Sequence, residues 1–278
     1  MAQIINTNLP SLNTQRNIST TNGQLAQAIQ RLSSGLRVNS AKDDAAGLAI
    51  AERMNSQVRG MNVAIRNAND GISMAQVAEG ALGKVGDMLQ RMRELAVQSA
   101  NATNSTSDRD NLNAEFTQLT AEIDRTLEGT KFNGKAILAG DAGSMSFQIG
   151  AGTSGTDTLS VSTTNMSGDG DITAVVAGTI DGADATNATA AIDLVDAALE
   201  RVNTERATMG AVQNRFESVI GSLQVAVENQ AAARSRIMDA DFASETAALT
   251  RAQILQQAGV AMLSQANAVP NNVLALLR

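Results

Sequence analysis

Both ends of the chain carry apolar residues at alternating steps of three and four. The front stripe contains Ile18, Asn22, Leu25, Ile29, Leu32 and Leu36. The rear stripe contains Ala252, Leu255, Gly259, Met262, Ala266, Val269, Val273 and Leu276. This heptad spacing is typical of helices that pack on other helices. It predicts a helix at each end, with an assembly seam through Ile18, Leu25, Ile29, Leu32, Leu255, Met262, Val269 and Leu276.

Three further helices are predicted between the ends. Ser40 followed by Asp43 has the form of a capping box and predicts a long helix that continues to about residue 100. Ser107 with Asp110 repeats the pattern before a shorter helix that stops near Gly129. Helical periodicity returns from about 188 to 236, and residues 239–241 supply an acidic cap before the rear stripe.

The segment from Phe132 to about Gly182 has a different character, because it is rich in Gly, Ser, Thr and Asp. Alternating runs at 144–149, 158–163 and 172–176 predict small strands joined by turns. The fold class predicted from these patterns is mainly α. It is a long antiparallel helical rod or coiled coil with a small β-hairpin region in the middle of the chain.

The two ends contain no acidic residue. All 28 Asp and Glu residues lie between Asp43 and Glu245, although the chain as a whole has a net charge of −7. The faces beside the stripes are therefore mostly Ala, Asn, Gln, Ser and Thr, which neighbours can enclose without burying an ion. We expect the ends to become ordered only when many copies of the chain supply the missing surfaces.

Composition removes most enzymatic interpretations. The chain has no His and no Cys, so it cannot form a zinc site of the usual kind, a Ser-His-Asp or Cys-His nucleophile, or a disulfide framework. No catalytic, cofactor-binding or metal-binding residue is predicted. Residues 150–155 match G-x-G-x-x-G, but a strand rather than a helix follows them. Asp169 and the acids at 181–184 are expected to be turn residues rather than calcium ligands.

The same sequence bears on location and partners. The acidic middle argues against binding nucleic acid, and no stretch is apolar enough to insert into a membrane. The first residues lack the basic start and apolar run of a secretory signal. Taken alone this absence indicates a cytoplasmic protein, but a dedicated export machine would leave the same absence.

Several motifs resemble one family. The run Arg-Ala-Gln-Ile-Leu-Gln-Gln-Ala-Gly at 251–259 is similar to bacterial flagellin. Further similar segments are Arg31–Ile50, Leu89–Asn101, Gly210–Phe216, Ser235–Ile237 and Ser264–Arg278. The resemblance covers roughly residues 1–135 and 190–278, in order.

The resemblance implies an inner coiled-coil domain from 1–43 with 239–278, lining the channel of a filament. Residues 44–238 would form the next domain outward, a helical rod with a β-rich tip near 132–182. The middle is short, as in a minimal flagellin without large outer domains. The implied function is a structural subunit that self-assembles into the extracellular flagellar filament used for swimming, without catalytic activity. The implied partners are further copies of the chain, the flagellar export apparatus, a chaperone and cap proteins, with export that cleaves no signal peptide.

Two features have more than one explanation. Gln90, Arg91, Leu95 and Glu115 match the surface that a vertebrate innate immune receptor reads on similar flagellins, but packing between neighbouring subunits is the favoured explanation, and receptor recognition would be a second use of the same surface. O-linked sugars on the Ser/Thr-rich segment are a further possibility. The alternative functions are a hook-filament junction protein, a filament-borne enzyme and an intracellular coiled-coil scaffold.

Overall fold

The computed structural model describes residues 7–275, and their side chains up to residue 268. Two compact units are present. The first combines Met1–Ser56 with Asn229–Arg278, and the second is Gln57–Glu228.

Six α-helices dominate the described chain, which confirms the mainly α prediction. They are α1 Leu9–Ser34, α2 Ala45–Ser99, α3 Thr106–Gly129, α4 Gly170–Val176, α5 Thr186–Met238 and α6 Phe242–Ala275. Between α3 and α4 lie two antiparallel strand pairs, β1 Lys131–Phe132 with β2 Lys135–Ala136, and β3 Ser144–Gln148 with β4 Thr158–Ser162. The pairing of Met145 with Val161 sets the register of the longer hairpin.

Two predicted helix caps lie at neighbouring residues instead. The long helix α2 begins after Asp44, whose carboxylate accepts the Gly47 N–H at 2.7 Å, while Asp43 turns back to Ser40. The capping box of α3 is formed by Ser105 and Asp108, two residues before the predicted pair. Asp241 caps α6 as expected, because it accepts the Ala243 N–H at 2.9 Å.

The segment 172–176 is helical, so the strand predicted there was wrong. Asp169 accepts the Asp171 N–H and starts α4, and Ile172 and Val175 then lie on one buried face. A five-residue apolar run does not distinguish one helical turn from a strand, and here the capping aspartate decides the outcome.

The core of the second unit is a continuous apolar cluster. It contains residues from α2, α3, α5, the β3–β4 hairpin and α4. Its largest fully buried side chains include Phe116, Phe216, Leu82, Leu89 and Met92. Phe147 of β3 meets Phe216 edge to face at 5.4 Å, and Asn67 donates to the Gln148 carbonyl at 2.9 Å. The hairpin is thereby fixed to the helices by both apolar and polar contacts.

The first unit contains the paired helices α1 and α6 and a small apolar cluster of Val38, Ala51 and Met238. Gly35 ends α1 in the left-handed conformation, with φ of 69°. Its carbonyl accepts the Ala240 N–H at 2.9 Å, and the Arg37 N–H donates to the Met238 carbonyl at 2.7 Å. These bonds tie the turn after α1 to the turn before α6. Helix α6 continues past Pro270.

Candidate assembly surface

The facing sides of α1 and α6 combine enclosed small residues with larger side chains that are only partly buried. We call this contact the inner seam. Its most enclosed members are Ser11 and Ala28 of α1, and Ala252 and Ala266 of α6. The intermediate positions Ile18, Leu25, Leu32, Gly259 and Leu263 continue the same spacing of three and four residues. Both helices therefore follow a heptad pattern along the inner seam.

Close approach and hydrogen bonds hold the inner seam together. A β-carbon on Gly259 would lie 2.8 Å from Ile18 Cγ1, so the helix backbones approach closely at this point. Asn8 donates to the Ala266 carbonyl and Ser11 to the Asn267 side chain, both at 2.8 Å. Farther along, Gln256 donates to Asn22 at 2.9 Å.

The eight predicted seam residues divide into three groups. Ile18, Leu25 and Leu32 lie in the inner seam and are partly buried. Ile29, Leu255 and Met262 are 51%, 49% and 62% exposed, so they do not lie in the contact between α1 and α6. Leu276, and the side chain of Val269, lie outside the described part of the chain. The front stripe thus combined the inner-seam residues Ile18 and Leu25 with the outward Ile29. The rear stripe combined the inner-seam residues Ala252, Gly259 and Ala266 with the outward Leu255 and Met262.

The large apolar residues form a second, outward-facing set, which we call the outer faces. Besides Ile29, Leu255 and Met262, these faces expose Leu9, Leu12, Phe242, Ile254 and Val260. Residues 242–255 also line an open groove of about 880 Å³, which includes Phe242, Ala247 and Ile254. The stripes chosen in the sequence omitted Leu9, Leu12, Phe242, Ile254 and Val260. Each terminal helix has more apolar residues in its sequence than one stripe contains, and this excess could have revealed them.

The predicted receptor surface is only partly at the surface. Gln90, Arg91 and Glu115 are exposed, but Leu95 is 1% exposed and belongs to the core of the second unit. Arg91 makes ion pairs of 2.9 Å with both Glu94 and Glu115, which joins α2 to α3. Because Arg91 donates hydrogen bonds to the carboxylates of Glu94 and Glu115, the pKa of Arg91 is raised. Leu95 therefore cannot be a surface contact in this conformation.

The glycine-rich loop at 150–155 is organised by Asp157. A β-carbon on Gly150 or Gly152 would collide with that carboxylate, and Ser154 donates its N–H to Asp157 Oδ2 at 2.9 Å. The Gln148 amide donates to the carbonyls of Gly150 and Gly152. The Asp157 carboxylate thus fills the space beside the two glycines, and the loop is a turn before β4.

Acidic residues in the described chain serve as caps and ion-pair partners. Asp169 caps α4 and accepts from Arg201 at 2.8 Å. Asp181 accepts from Asn187, and Asp184 accepts the Thr186 N–H. Among residues 7–275, no three His, Cys, Asp or Glu side chains are grouped so that they could hold a metal ion. In the same range no helix is long and apolar enough to cross a membrane.

Comparison with known families gives a specific match at both ends. The bacterial flagellin N-terminal helical region matches residues 5–142, and the bacterial flagellin C-terminal helical region matches residues 192–277. Together the two matches include the whole of α1, α2 and α3 and nearly all of α5 and α6.

The chain belongs to the bacterial flagellin family. It is 48% identical to a flagellin of Halalkalibacterium halodurans over 275 residues, covering 99% of this chain and 100% of the relative. It is 43% identical to the flagellar filament 33 kDa core protein of Treponema phagedenis, covering 99% and 100% of the two chains. This flagellin is thus a short form without a large outer domain, and its class of function is structural subunit of the flagellar filament.

A solved structure bears on the fold. The putative flagellar hook-associated protein from Vibrio parahaemolyticus has a TM-score of 0.60 and 14% identity, covering 71% of this chain and all of that one. At this identity the likeness supports the helical architecture alone. The fold alone does not distinguish a filament subunit from a hook-filament junction protein. The identity of 48% to a flagellin over 99% of this chain favours the filament subunit.

Proposed function

We propose that copies of this flagellin hold one another in the filament through the outer faces of α1 and α6. The observation that carries the proposal is the exposure of large apolar side chains on two helices that are already paired with each other. The inner seam encloses Ser11, Ala28, Ala252 and Ala266, whereas Leu9, Ile254 and Met262 are 65%, 61% and 62% exposed. Exposed apolar surface of this extent on paired helices is typical of a protein interaction site.

The energy available from the outer faces is large enough to drive assembly. Full burial of a Leu, Ile or Met side chain contributes roughly 1.5–3 kcal/mol. Eight large apolar side chains lie on these faces, so burial of even half of their surface contributes on the order of 6–12 kcal/mol per subunit before association costs. Those side chains gain nothing comparable from the α1–α6 contact, because they face away from it.

We further infer that the terminal segments 1–43 and 239–278 form the inner part of the filament and that 44–238 lie outward of them. Support comes from the division of the chain into one unit that contains both ends and one that contains the middle. The outer faces contain no acidic residue, which favours their enclosure by other copies.

A charge placed on an outer face tests the proposal. Met262→Asp should prevent filament formation, because each subunit would bury an uncompensated carboxylate. The matched control is Gln118→Asp, which places the same side chain on the exposed surface of α3. Both variants should keep the circular dichroism spectrum of the second unit. Sedimentation and electron microscopy then measure filaments.

Two outcomes are decisive. Filaments from Gln118→Asp but not from Met262→Asp support the outer faces as contacts between copies. Filaments of normal length and yield from both variants contradict the proposal, because a buried carboxylate at 262 would then carry no cost.

We propose that the chain has no catalytic role, since it lacks the His and Cys on which most nucleophilic and metal chemistry depends. We also propose that the flagellar export apparatus secretes it with the help of a chaperone and that cap proteins guide its insertion, without cleavage of a signal peptide. The outer faces give a physical reason for a chaperone, because they would associate prematurely inside the cell. Coexpression with the export apparatus, followed by recovery from the culture fluid, tests this part.

Recognition by a vertebrate innate immune receptor is a second, separable proposal. Gln90, Arg91 and Glu115 are exposed on α2 and α3, and Arg91 already pairs with two carboxylates. Arg91→Ala should abolish receptor signalling by free subunits, whereas Arg125→Ala, which removes an exposed ion pair within α3, should leave signalling unchanged. Equal signalling from the two variants would contradict it.

A further inference from the structure

A polar cleft runs along one side of the contact between α1 and α6. Its walls carry Gln24, Gln27 and Arg31 from α1, and Glu245 and Arg251 from α6. Alanines form much of its remaining surface, and its volume is about 270 Å³. We call this feature the arginine cleft. It combines two guanidinium groups and two side-chain amides, all of which donate hydrogen bonds.

Arg31 is incompletely paired in the arginine cleft. Its NH1 lies 3.8 Å from Glu245 Oε2, which is an ion pair but too long for a hydrogen bond. Its Nε is buried and has no hydrogen-bond partner among the described residues. A buried donor without a partner is rare in native proteins, and a bound ion or an ordered water is one of the reasons for it.

The charges around the cleft do not balance. Arg31 and Arg251 face a single carboxylate, Glu245, and the terminal segments 1–42 and 246–278 contain no other acid. Asp43 interacts electrostatically with Arg31, but Ser40 and Asn39 hold its carboxylate through hydrogen bonds that lower its pKa. Packing the acid-free ends of further copies around the cleft would add no negative charge.

We propose that the arginine cleft binds a tetrahedral oxyanion, of which sulfate and inorganic phosphate are the simplest examples. Guanidinium groups recognise such oxygens by paired, charge-assisted hydrogen bonds, and Arg31 Nε supplies one of the donors. Because the arginines belong to different helices, the bound anion ties α1 to α6 and stabilises their pairing. This proposal concerns contacts within one subunit and not the contacts between copies.

Hydrogen exchange on filaments assembled from the full-length chain tests the proposal, with sodium sulfate compared with sodium chloride at equal ionic strength. At equal ionic strength the two salts screen charges to the same extent, so screening does not account for a difference between them. Exchange of α1 and α6 amides should be about fivefold slower in 100 mM sulfate if the dissociation constant is on the order of 25 mM. Amides of α3, in the second unit, report the general stabilising effect of sulfate in the same sample.

Substitutions of single arginines distinguish anion binding in the arginine cleft from the general stabilising effect of sulfate. Arg251→Gln should remove the extra slowing in α1 and α6, while Arg251→Lys should keep part of it. Arg16→Gln, which removes an exposed arginine of α1 outside the cleft, should leave it unchanged. The proposal is overturned if sulfate slows α1 and α6 no more than α3, or if Arg251→Gln and Arg16→Gln respond equally.

Discussion

Gly259 in α6 lies so close to Ile18 in α1 that a β-carbon on Gly259 would stand 2.8 Å from Ile18 Cγ1. The glycine leaves the space into which the Ile18 side chain packs. Ile29, Leu255 and Met262 lie outside this contact and are about half exposed or more, so they are available to other molecules.

Gly259→Ala should therefore weaken the α1–α6 pair. The helix gains about 0.5–1 kcal/mol from replacing glycine, but the clash with Ile18 should cost about 1–3 kcal/mol. Gly23→Ala is the matched control in α1, because no described atom outside the local backbone lies within 4 Å of its added β-carbon. Amide exchange in α1 should be faster in Gly259→Ala and slower in Gly23→Ala. Slower exchange in both would mean that Ile18 moves aside without cost.

Gly71→Ala should destabilise the second unit. Its β-carbon would lie 2.5 Å from Phe216 Cζ, and the ring cannot shift without disturbing its edge-to-face contact with Phe147. We expect a loss of about 1–3 kcal/mol in the free energy of unfolding. Gly80→Ala, in the same helix, meets no described atom within 4 Å beyond its local backbone. Urea unfolding followed by circular dichroism measures the unfolding midpoint of each variant. A higher midpoint for Gly71→Ala than for Gly80→Ala would contradict the packing.

Arg109→Met should be among the most damaging substitutions of a charged residue. Arg109 is buried and donates to the carbonyls of Ser99 and Asn101 and, at 3.5 Å, of Gly182. Methionine fills similar space but leaves these carbonyls without their donor, at a cost of about 1–3 kcal/mol or more. Arg125→Met removes only an exposed ion pair with Glu122 and should change stability by less than about 1 kcal/mol. Equal urea midpoints for the two variants would show that the buried bonds are not needed.

Asp108 should make the start of α3 sensitive to acid. Hydrogen bonds from the Ser105 hydroxyl and N–H lower the pKa of Asp108 in the folded protein. Its contribution is therefore present above the unfolded pKa of about 3.9 and is lost as the pH falls through the lower folded value. Asp108→Asn should fray the first turn of α3 at pH 7 and flatten the pH dependence of that turn below about pH 4. Amide exchange near residue 108, measured across this range in both proteins, provides the test.

The sequence predicted the helices well because their apolar periodicity is long and strong. It misassigned 172–176, where one helical turn and a short strand have the same apolar content and the cap at Asp169 decides between them. Ile29 was assigned to the same stripe as Ile18 and Leu25, and Leu255 and Met262 were assigned to the same stripe as Gly259, although they face outward. Apolar periodicity shows which residues share a face of one helix. It does not show which of the faces contacts the partner helix. The close approach at Gly259 determines that face, and it depends on the three-dimensional packing of two distant segments.

The difference between the inner seam and the outer faces can be measured directly in an electron cryomicroscopy map of filaments assembled from this chain. We predict that Ile18 and Gly259 contact each other within one subunit, while Leu255 and Met262 are buried against neighbouring copies. A map in which Leu255 and Met262 face solvent, or in which they pack against α1 of their own subunit, would contradict this prediction.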